Sequence, residues 1–369
     1  MNIDRIEAIT GKSKLEAQDL RYLLTLSGDD MKRLFEISSS VKKEYVGNKV
    51  YFRGLIEYSN SCVKNCFYCG IRTGMKQLHR YKLTDDEVLE AAKFALQKRY
   101  GSIVIQGGER SDKGHVANIT RLLQRINRET NNQLHITLSL GEQSEETYSI
   151  WKENGAQRYL LRIETSNEDL YKKLHPDDDL HSFSRRIKAL EDLKKLGYQV
   201  GSGVMIGLPF QTIDDLAKDL LFFKAIDIDM NGMGPYIEHE GTPLYNYRHL
   251  LMSKEERLVL SLKMIAVLRI LMKDINIAAT TAMQTLAPDG REQALAVGAN
   301  VIMPNITPVK YRENYQLYDN KPCIDEEAEQ CVSCLENRIK SIGNEVGYDE
   351  WGDSRHYLNK KKTLELYTN

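Results

Sequence analysis

Cys62, Cys66 and Cys69 fall within eight residues of the run SNSCVKNCFYCGIR. Three thiolates so close together can hold three corners of a four-iron, four-sulfur cluster and leave the fourth iron without a protein ligand. Clusters that only store or pass electrons normally carry four protein thiolates. An iron left open suggests a ligand arriving from outside, and so a catalytic site. Zinc shared with a distant histidine, a disulfide, or plain buried thiols are the competing readings. A disulfide calls for an oxidising compartment, and the opening MNIDRIEAIT lacks the charged-then-apolar pattern of a signal segment. Zinc sites usually pair one CxxC with a second, or with HxxxH, and no such partner lies near. The spacing C-x3-C-x2-C, with Tyr68 just before the third cysteine, favours the cluster.

The remaining cysteines, Cys323, Cys331 and Cys334, form a second triplet spaced C-x7-C-x2-C, so none of the six is left over for packing. Such segregation favours two metal sites. The 369 residues are 41% hydrophobic, enough for a sizeable core and for one large barrel-type domain or two ordinary ones. Charge is nearly balanced at a formal −1, with no basic excess to suggest nucleic-acid binding. No apolar run reaches a membrane span; the longest, Leu258 to Met272, is broken by Lys263 and Arg269. The chain is therefore expected to be soluble and cytoplasmic.

Elements to position these thiols are legible between the triplets. Apolar runs at Phe52–Tyr58, Ser102–Gln106, His135–Leu140, Tyr159–Glu164, Val200–Gly207, Met230–Tyr236, Ile277–Ala282 and Val301–Pro304 read as buried parallel strands. Helical stretches alternate with them: Thr84–Arg99, where Thr84 and Glu87 form a capping box, then Phe183–Leu196, Leu216–Ala225 and Glu255–Met272. About eight βα repeats predict an α/β fold, a complete (β/α)8 TIM-type barrel over residues 51–304. Residues 1–50 read as an N-terminal helical lead-in, and 305–369 as a C-terminal tail carrying the second triplet. Barrel enzymes keep their chemistry in loops at the C-terminal strand ends. The first triplet directly follows strand one. The polar ends Gly107-Gly108-Glu109, Ser139 to Glu142, Arg162 to Thr165 and Thr280-Thr281 should converge on the same mouth.

The segment YSNSCVKNCFYCGIR, together with RYLLRIET, GLPFQT, ATTAMQT and GANVIMPN, resembles the radical S-adenosylmethionine (SAM) maturases of iron-iron hydrogenase, the HydE family, within the biotin synthase-like radical SAM enzymes. The likeness runs from about residue 50 to 356. It implies that Cys62, Cys66 and Cys69 ligate a 4Fe-4S cluster whose open iron takes the amino and carboxylate groups of SAM. An electron from that cluster would then release a 5′-deoxyadenosyl radical. Tyr68 lies within the cluster motif as a cofactor contact. Gly107, Gly108 and Glu109 resemble the motif against the SAM amino-acid end, where Glu109 can accept from an ammonium; a tight turn with a solvated glutamate is the bland alternative. Glu164 resembles a carboxylate that helps hold SAM, and Arg186 an arginine facing the SAM carboxylate. Either could instead be a surface charge. Ser139 is a hydrogen-bonding neighbour.

The substrate end is expected from Arg162, Thr280, Thr281, Met303 and Tyr318. Arg162, in an otherwise apolar strand, must meet an anion, either an internal carboxylate or a ligand. The Thr pair could be only β-propensity, and Tyr318 only packing. Two departures bear on the substrate. Ile163 stands where the family carries a polar histidine, and strand two reads QGGE where a related pattern reads QSGE; both remove polar groups near the expected cavity. The tail triplet resembles the accessory cluster site of some of these maturases, here a 2Fe-2S or 4Fe-4S cluster, with zinc or no metal as alternatives.

The resemblance implies assembly of the hydrogenase cofactor from an iron–cysteine species bearing carbonyl and cyanide, a small organometallic substrate supplied by a companion radical SAM maturase. It further implies companion hydrogenase maturases, an electron donor such as ferredoxin or flavodoxin, and an anaerobic cytoplasm. Rival expectations are a methylornithine synthase-like or biotin synthase-like enzyme acting on an amino-acid-derived or other small organic substrate, and a non-catalytic iron–sulfur carrier.

Overall fold

The computed structural model describes residues 3–325 and 328–368, apart from a few side chains. The strands are β1 (Lys49–Ser59), β2 (Ser102–Gly107), β3 (His135–Ser139), β4 (Ala156–Leu160), β5 (Gln199–Ser202), β6 (Met205–Ile206), β7 (Met230–Asn231), β8 (Gly234–Pro235), β9 (Asn276–Ile277), β10 (Val301–Ile302) and β11 (Glu345–Val346). Eight of them form one parallel path in the order β10-β1-β2-β3-β4-β5-β7-β9, and β11 adds alongside the start of β1. The pair β6-β8 continues β5 and β7 as a short separate ladder. Beyond β9, Ala278 bridges Val301 of β10, and the Ala279 N–H donates to the Val301 carbonyl at 2.8 Å. This is an α/β fold with a curved parallel sheet.

The helices close their ends as the sequence pattern requires. Thr84 accepts from the Glu87 N–H while the Glu87 carboxylate takes the Thr84 N–H, starting the helix Asp85–Gln97. The same reciprocal box starts Ile213–Ala225 at Thr212 and Asp215, and Lys254–Leu271 at Ser253 and Glu256. In the N-terminal region, the helices Ile3–Thr10, Ala17–Thr25 and Gly28–Tyr45 lie against the later barrel helices, Ala17–Thr25 on Ile213–Ala225 and Gly28–Tyr45 on Lys254–Leu271. One apolar core runs beneath them, from Ile6 through Ile56 and Leu138 to Ile302.

Four expected strands need correction. The run Tyr159–Glu164 forms a strand only to Leu160; Glu164, at φ +67°, returns to pair with Val204 as an isolated parallel bridge. Val200–Gly207 and Met230–Tyr236 each break into two short pieces, at Gly203 and Gly232. Ile277–Ala282 is strand only at its start: Thr280 precedes, and Thr281 begins, the helix Thr281–Leu286. A threonine pair with high β-propensity serves here as a helix entrance, although the Thr280 side chain makes no capping hydrogen bond.

The floor of the sheet is polar and covered by the chain's own C-terminal part. Arg158, fully buried, pairs with Asp353 and donates to the Trp351 carbonyl at 2.6 Å. Asp353 also accepts from Gln199 at 2.7 Å and sits 3.1 Å from His135 Nδ1. Asn276 and Arg53 both donate to the Gly352 carbonyl, at 2.8 and 3.1 Å. Residues 351–354 thus plug the bottom, leaving chemistry to the opposite mouth.

Candidate active site

At the mouth, β1 ends at Ser59 and the chain enters a loop tied down by side-chain bonds. Asn60 donates to the carbonyls of His79 (2.8 Å) and Asn314 (2.7 Å) and accepts from the Tyr81 N–H. Arg80 donates to the carbonyls of Asn60, Ile71 and Arg72 at 2.6–2.7 Å. Asn65 accepts from Arg72 and the Gly74 N–H, and its own N–H donates to His181 Nε2 at 2.9 Å. The loop is thereby fixed before any ligand arrives.

Cys62, Cys66 and Cys69 form no disulfide. Burial pushes all three thiols up, Cys66 to about 12, and each of Cys66 and Cys69 is raised further by its neighbouring sulfurs. Thiols set so close that neighbouring sulfurs disfavour ionisation, as at Cys66 and Cys69, need a cation to hold them as thiolates. Among the described residues, no three His, Cys, Asp or Glu groups gather tightly enough to hold a single metal ion. Three thiol donors on one loop suit an open-cornered cluster, whereas a tetrahedral zinc would need a fourth ligand. The donor set fits a 4Fe-4S group.

The loop after β2 lies directly on this one. The Glu109 N–H donates to Cys62 Sγ at 3.3 Å, and the Glu109 carbonyl accepts from the Val63 N–H at 3.0 Å. Gly108 permits the approach, since a Cβ there would lie 2.5 Å from the Ser61 carbonyl oxygen and 2.8 Å from Cys62 Cβ. The Glu109 carboxylate is buried and meets Lys64 Nζ at 3.2 Å and an Arg186 NH group at 3.9 Å. Glu142, 1% exposed, completes a quartet: it pairs with Arg186 Nε and lies 3.0 Å from Lys64 Nζ. Burial raises the Glu109 carboxyl despite both cations; for Glu142 burial works in the same direction, but Arg186 and Lys64 together outweigh it and lower the group. Gly141, at φ +77°, gives Glu109 its room: a Cβ there would sit 2.2 Å from a carboxylate oxygen.

Arg186 is thus no surface charge, although its helix Phe183–Lys195 is amphipathic; it is 7% exposed and also donates to the Arg162 carbonyl at 2.6 Å. Arg162 lies just past β4, where it meets an internal carboxylate, Glu164 Oε2, at 3.0 Å and donates to the Val204 carbonyl. Tyr68 is near His175 Nε2 (3.3 Å) and packs edge-on against that ring. Burial raises its hydroxyl, with Cys66 and Glu164 adding to the effect, so Tyr68 and Glu164 share the cluster's surroundings. Ser139 ends β3 opposite Gln106. Sequence reasoning missed Lys64 and assigned Glu142 no role. The signals were a lysine placed between two cluster cysteines and a glutamate following a turn glycine.

The other residues lie deeper and to one side. A cavity of about 580 Å³, partly open to solvent, is lined by Thr281, Gln284, Arg291, Met303, Lys321 and Cys323, among others. A second, much narrower space sits within the sheet and is lined by Arg53, Thr137, Met230, Asn231, Asn276 and again Met303. Met303 therefore faces both. The Thr280 hydroxyl is buried without a hydrogen-bond partner. Tyr318 lines neither cavity; burial raises its hydroxyl, which Thr285 engages. Ile163 is fully buried in the main core and lines neither cavity, so its departure from histidine falls away from them. In the tail, Cys323 Sγ lies 3.5 Å from an Arg291 NH group, whereas the side chains of Cys331 and Cys334 lie outside the described residues.

Comparison with known proteins agrees with this geometry. Residues 56–223 match the model of the radical SAM superfamily. The iron-iron (FeFe) hydrogenase maturase subunit HydE of Thermotoga maritima is 47% identical over 320 residues, covering 86% of this chain and 88% of its own. The 3-methylornithine synthase of Methanosarcina acetivorans is 27% identical over 347 residues, 93% of this chain and 94% of its own. A crystal structure of methylornithine synthase superposes with a TM-score of 0.77 at 26% identity, covering 95% of this chain and 98% of the other.

Proposed function

The chain belongs to the HydE family of radical SAM hydrogenase maturases, and from that premise we propose how its own residues serve assembly of the iron-iron hydrogenase active site. It is a radical SAM enzyme of hydrogenase maturation. When bound by Cys62, Cys66 and Cys69, a 4Fe-4S cluster supplies the electron that splits SAM and yields a 5′-deoxyadenosyl radical. Glu109 accepts the ammonium of SAM, Arg186 faces its carboxylate, and the side-chain-free Gly107 and Gly108 let backbone approach it. Tyr68, Ser139 and Glu164 complete that side. Arg162, Thr280, Thr281, Met303 and Tyr318 form the substrate end. The eight-strand path is read as a closed barrel, supported by the Ala278–Val301 bridge, spanning 51–304 between a helical lead-in and the tail. The tail triplet is read as an accessory iron–sulfur site.

The lining of the two cavities carries the substrate reading. Arg53, Arg291, Lys321 and Arg338 face them, Lys321 paired with Glu57 and Arg338 with Glu292, and no aspartate or glutamate stands among the described lining residues. Arg53 Nε and Asn231 Nδ2 are buried donors without partners. Mainly apolar walls carrying a few cationic and amide donors suit a small species with acceptor ligands, such as an iron–cysteine complex with carbonyl and cyanide. Their described side chains offer a free ammonium only neutral oxygens, such as those of Thr281, Gln284 and Asn305, and no carboxylate, which counts against the methylornithine synthase-like alternative. Companion maturases would deliver and receive the product, and a ferredoxin or flavodoxin would supply electrons in an anaerobic cytoplasm.

The test is anaerobic reconstitution, reduction with dithionite in the presence of SAM, and assay of 5′-deoxyadenosine. No product from the wild-type chain would leave only the iron–sulfur carrier reading. Adding an iron–cysteine carbonyl cyanide complex, or lysine in a parallel arm, and following consumption of each separates the two substrate classes.

A further inference from the structure

The quartet beside the first triplet contains more charge than SAM binding alone requires. Lys64 stands between Cys62 and Cys66 in the chain, yet it is 3% exposed and turned inward. Its ammonium contacts the Leu180 carbonyl, Glu142 Oε2 at 3.0 Å and Glu109 Oε1 at 3.2 Å. One side chain from the cluster loop thus joins the loops that follow β2 and β3 and the turn at Leu180. A lysine placed there for solubility would be exposed, and one buried by accident would lack partners.

The two oxygens of Glu109 are not equivalent. Oε1 is taken by Lys64, whereas the nearest cation to Oε2 is the Arg186 NH group at 3.9 Å, beyond hydrogen-bond reach. Glu142 holds both Lys64 and Arg186, and the half-exposed Arg185 also reaches its Oε2 at 3.3 Å, so Glu109 supplies the second negative charge that the two buried cations need. The four buried charges sum to zero. The amino-acid end of SAM, one ammonium and one carboxylate, also sums to zero and can enter without leaving a buried charge uncompensated.

We propose that Lys64, backed by Glu142, is a positioning residue for SAM, fixing one oxygen of Glu109 so that the other is presented to the SAM ammonium. The inference deepens the reading of Glu109 given above and rests on it. Lys64 touches Glu109 rather than SAM, so its effect passes through that carboxylate. It is confined to ligands that carry the amino-acid end.

The experiment measures binding by anaerobic titration calorimetry to the cluster-reconstituted chain, for SAM and for 5′-methylthioadenosine, which lacks the amino-acid end. Lys64→Met is expected to weaken SAM by about tenfold or more, the scale of one hydrogen bond to a charged group, with methylthioadenosine unchanged within about twofold. In a Glu109→Gln background, Lys64→Met should add nothing further. Equal loss for both ligands, no loss for SAM, or a full additional loss in the Glu109→Gln background overturns the assignment. Should Lys64→Met fail to load iron, Lys64→Arg and Glu142→Gln decide. The arginine variant, keeping the cation, should hold SAM nearer the wild-type value than Glu142→Gln does, with methylthioadenosine again unaffected; the reverse order overturns it. If the wild-type chain itself does not bind SAM, the functional reading fails instead.

Discussion

The Glu109 N–H points at Cys62 Sγ across 3.3 Å, so a candidate SAM contact and a candidate cluster ligand share one hydrogen bond. That bond depends on the loop after β2 reaching the loop after β1, which Gly108 alone allows. A Cβ at this position would stand 2.5 Å from the Ser61 carbonyl oxygen, and a backbone atom cannot swing aside as a flexible side chain can.

Gly108→Ala is therefore expected to push the two loops apart while leaving the remote core folded. Displacements of about 1 Å near reacting groups cost on the order of 100-fold in rate. Production of 5′-deoxyadenosine should fall on that scale, with a thermal midpoint close to the wild type. Unchanged production would show that the two loops do not need this contact.

The two cysteine triplets should separate in function. Cys66→Ala should abolish SAM cleavage, because Cys66 is the buried thiol of the set proposed to ligate the cluster. Cys323→Ala should retain most of it, because Cys323 lines the cavity beside Arg291, away from the Glu109 quartet. Iron content and 5′-deoxyadenosine yield, measured together, check this. Loss of cleavage in the Cys323 variant would make the tail site catalytic.

Local chemistry in the sequence forecast the capping box at Thr84 and Glu87 and the βα alternation, because each is set by neighbours a few residues apart. It forecast poorly where tertiary contacts decide. Arg186 reads as one charge on an amphipathic helix, and only folding brings it to Glu142, 44 positions away in the chain. Lys64 is inconspicuous among polar loop residues until the strands align Glu109 and Glu142 with it. The run after Tyr159 has strand composition, but Glu164 takes a left-handed backbone that no propensity foretells. The plug at 351–354 was invisible for the same reason. Its partners Arg53, His135, Arg158 and Gln199 come from four different strands.

Lys321 fastens the tail to the barrel. Its ammonium pairs with Glu57 of β1 and donates to the Tyr315 carbonyl at 2.8 Å, and both side chains are buried. Removing one partner strands the other's charge, at a cost of about 3–5 kcal/mol. Lys321→Met should accordingly destabilise the chain and expose residues 315–325 to limited proteolysis. Adding Glu57→Gln should recover part of the loss, since no unpaired carboxylate then remains. Additive destabilisation in the double variant would refute the coupling.

His356 clamps the C-terminal helix Arg355–Thr368 to the floor of the barrel. Its Nε2 lies 2.7 Å from Asp227 and its Nδ1 3.0 Å from Asp274, so both nitrogens donate only when the ring is protonated. Lys360 faces the same group, at 3.0 Å from Asp227 and 2.7 Å from Asp229. The hydrogen bonds to Asp227 and then Asp274 raise His356 from 6.5 to about 9, against burial and the nearby Lys360. A raised histidine contributes stability that is fully present below its unfolded value, near 6.5, and is lost as pH rises through about 9. Asp227 is lowered: burial opposes ionisation, but His356 and Lys360 outweigh it. Its contribution is present above its ordinary range and is lost only in strong acid. Asp274 is lowered in the same sense. The clamp is therefore strongest from about pH 5 to 7 and loosens above about pH 9. His356→Ala should cost about 2–3 kcal/mol at pH 6 and less than half of that at pH 10, measured by denaturant unfolding at both values. An equal cost at the two pH values would mean that the ring acts by packing alone.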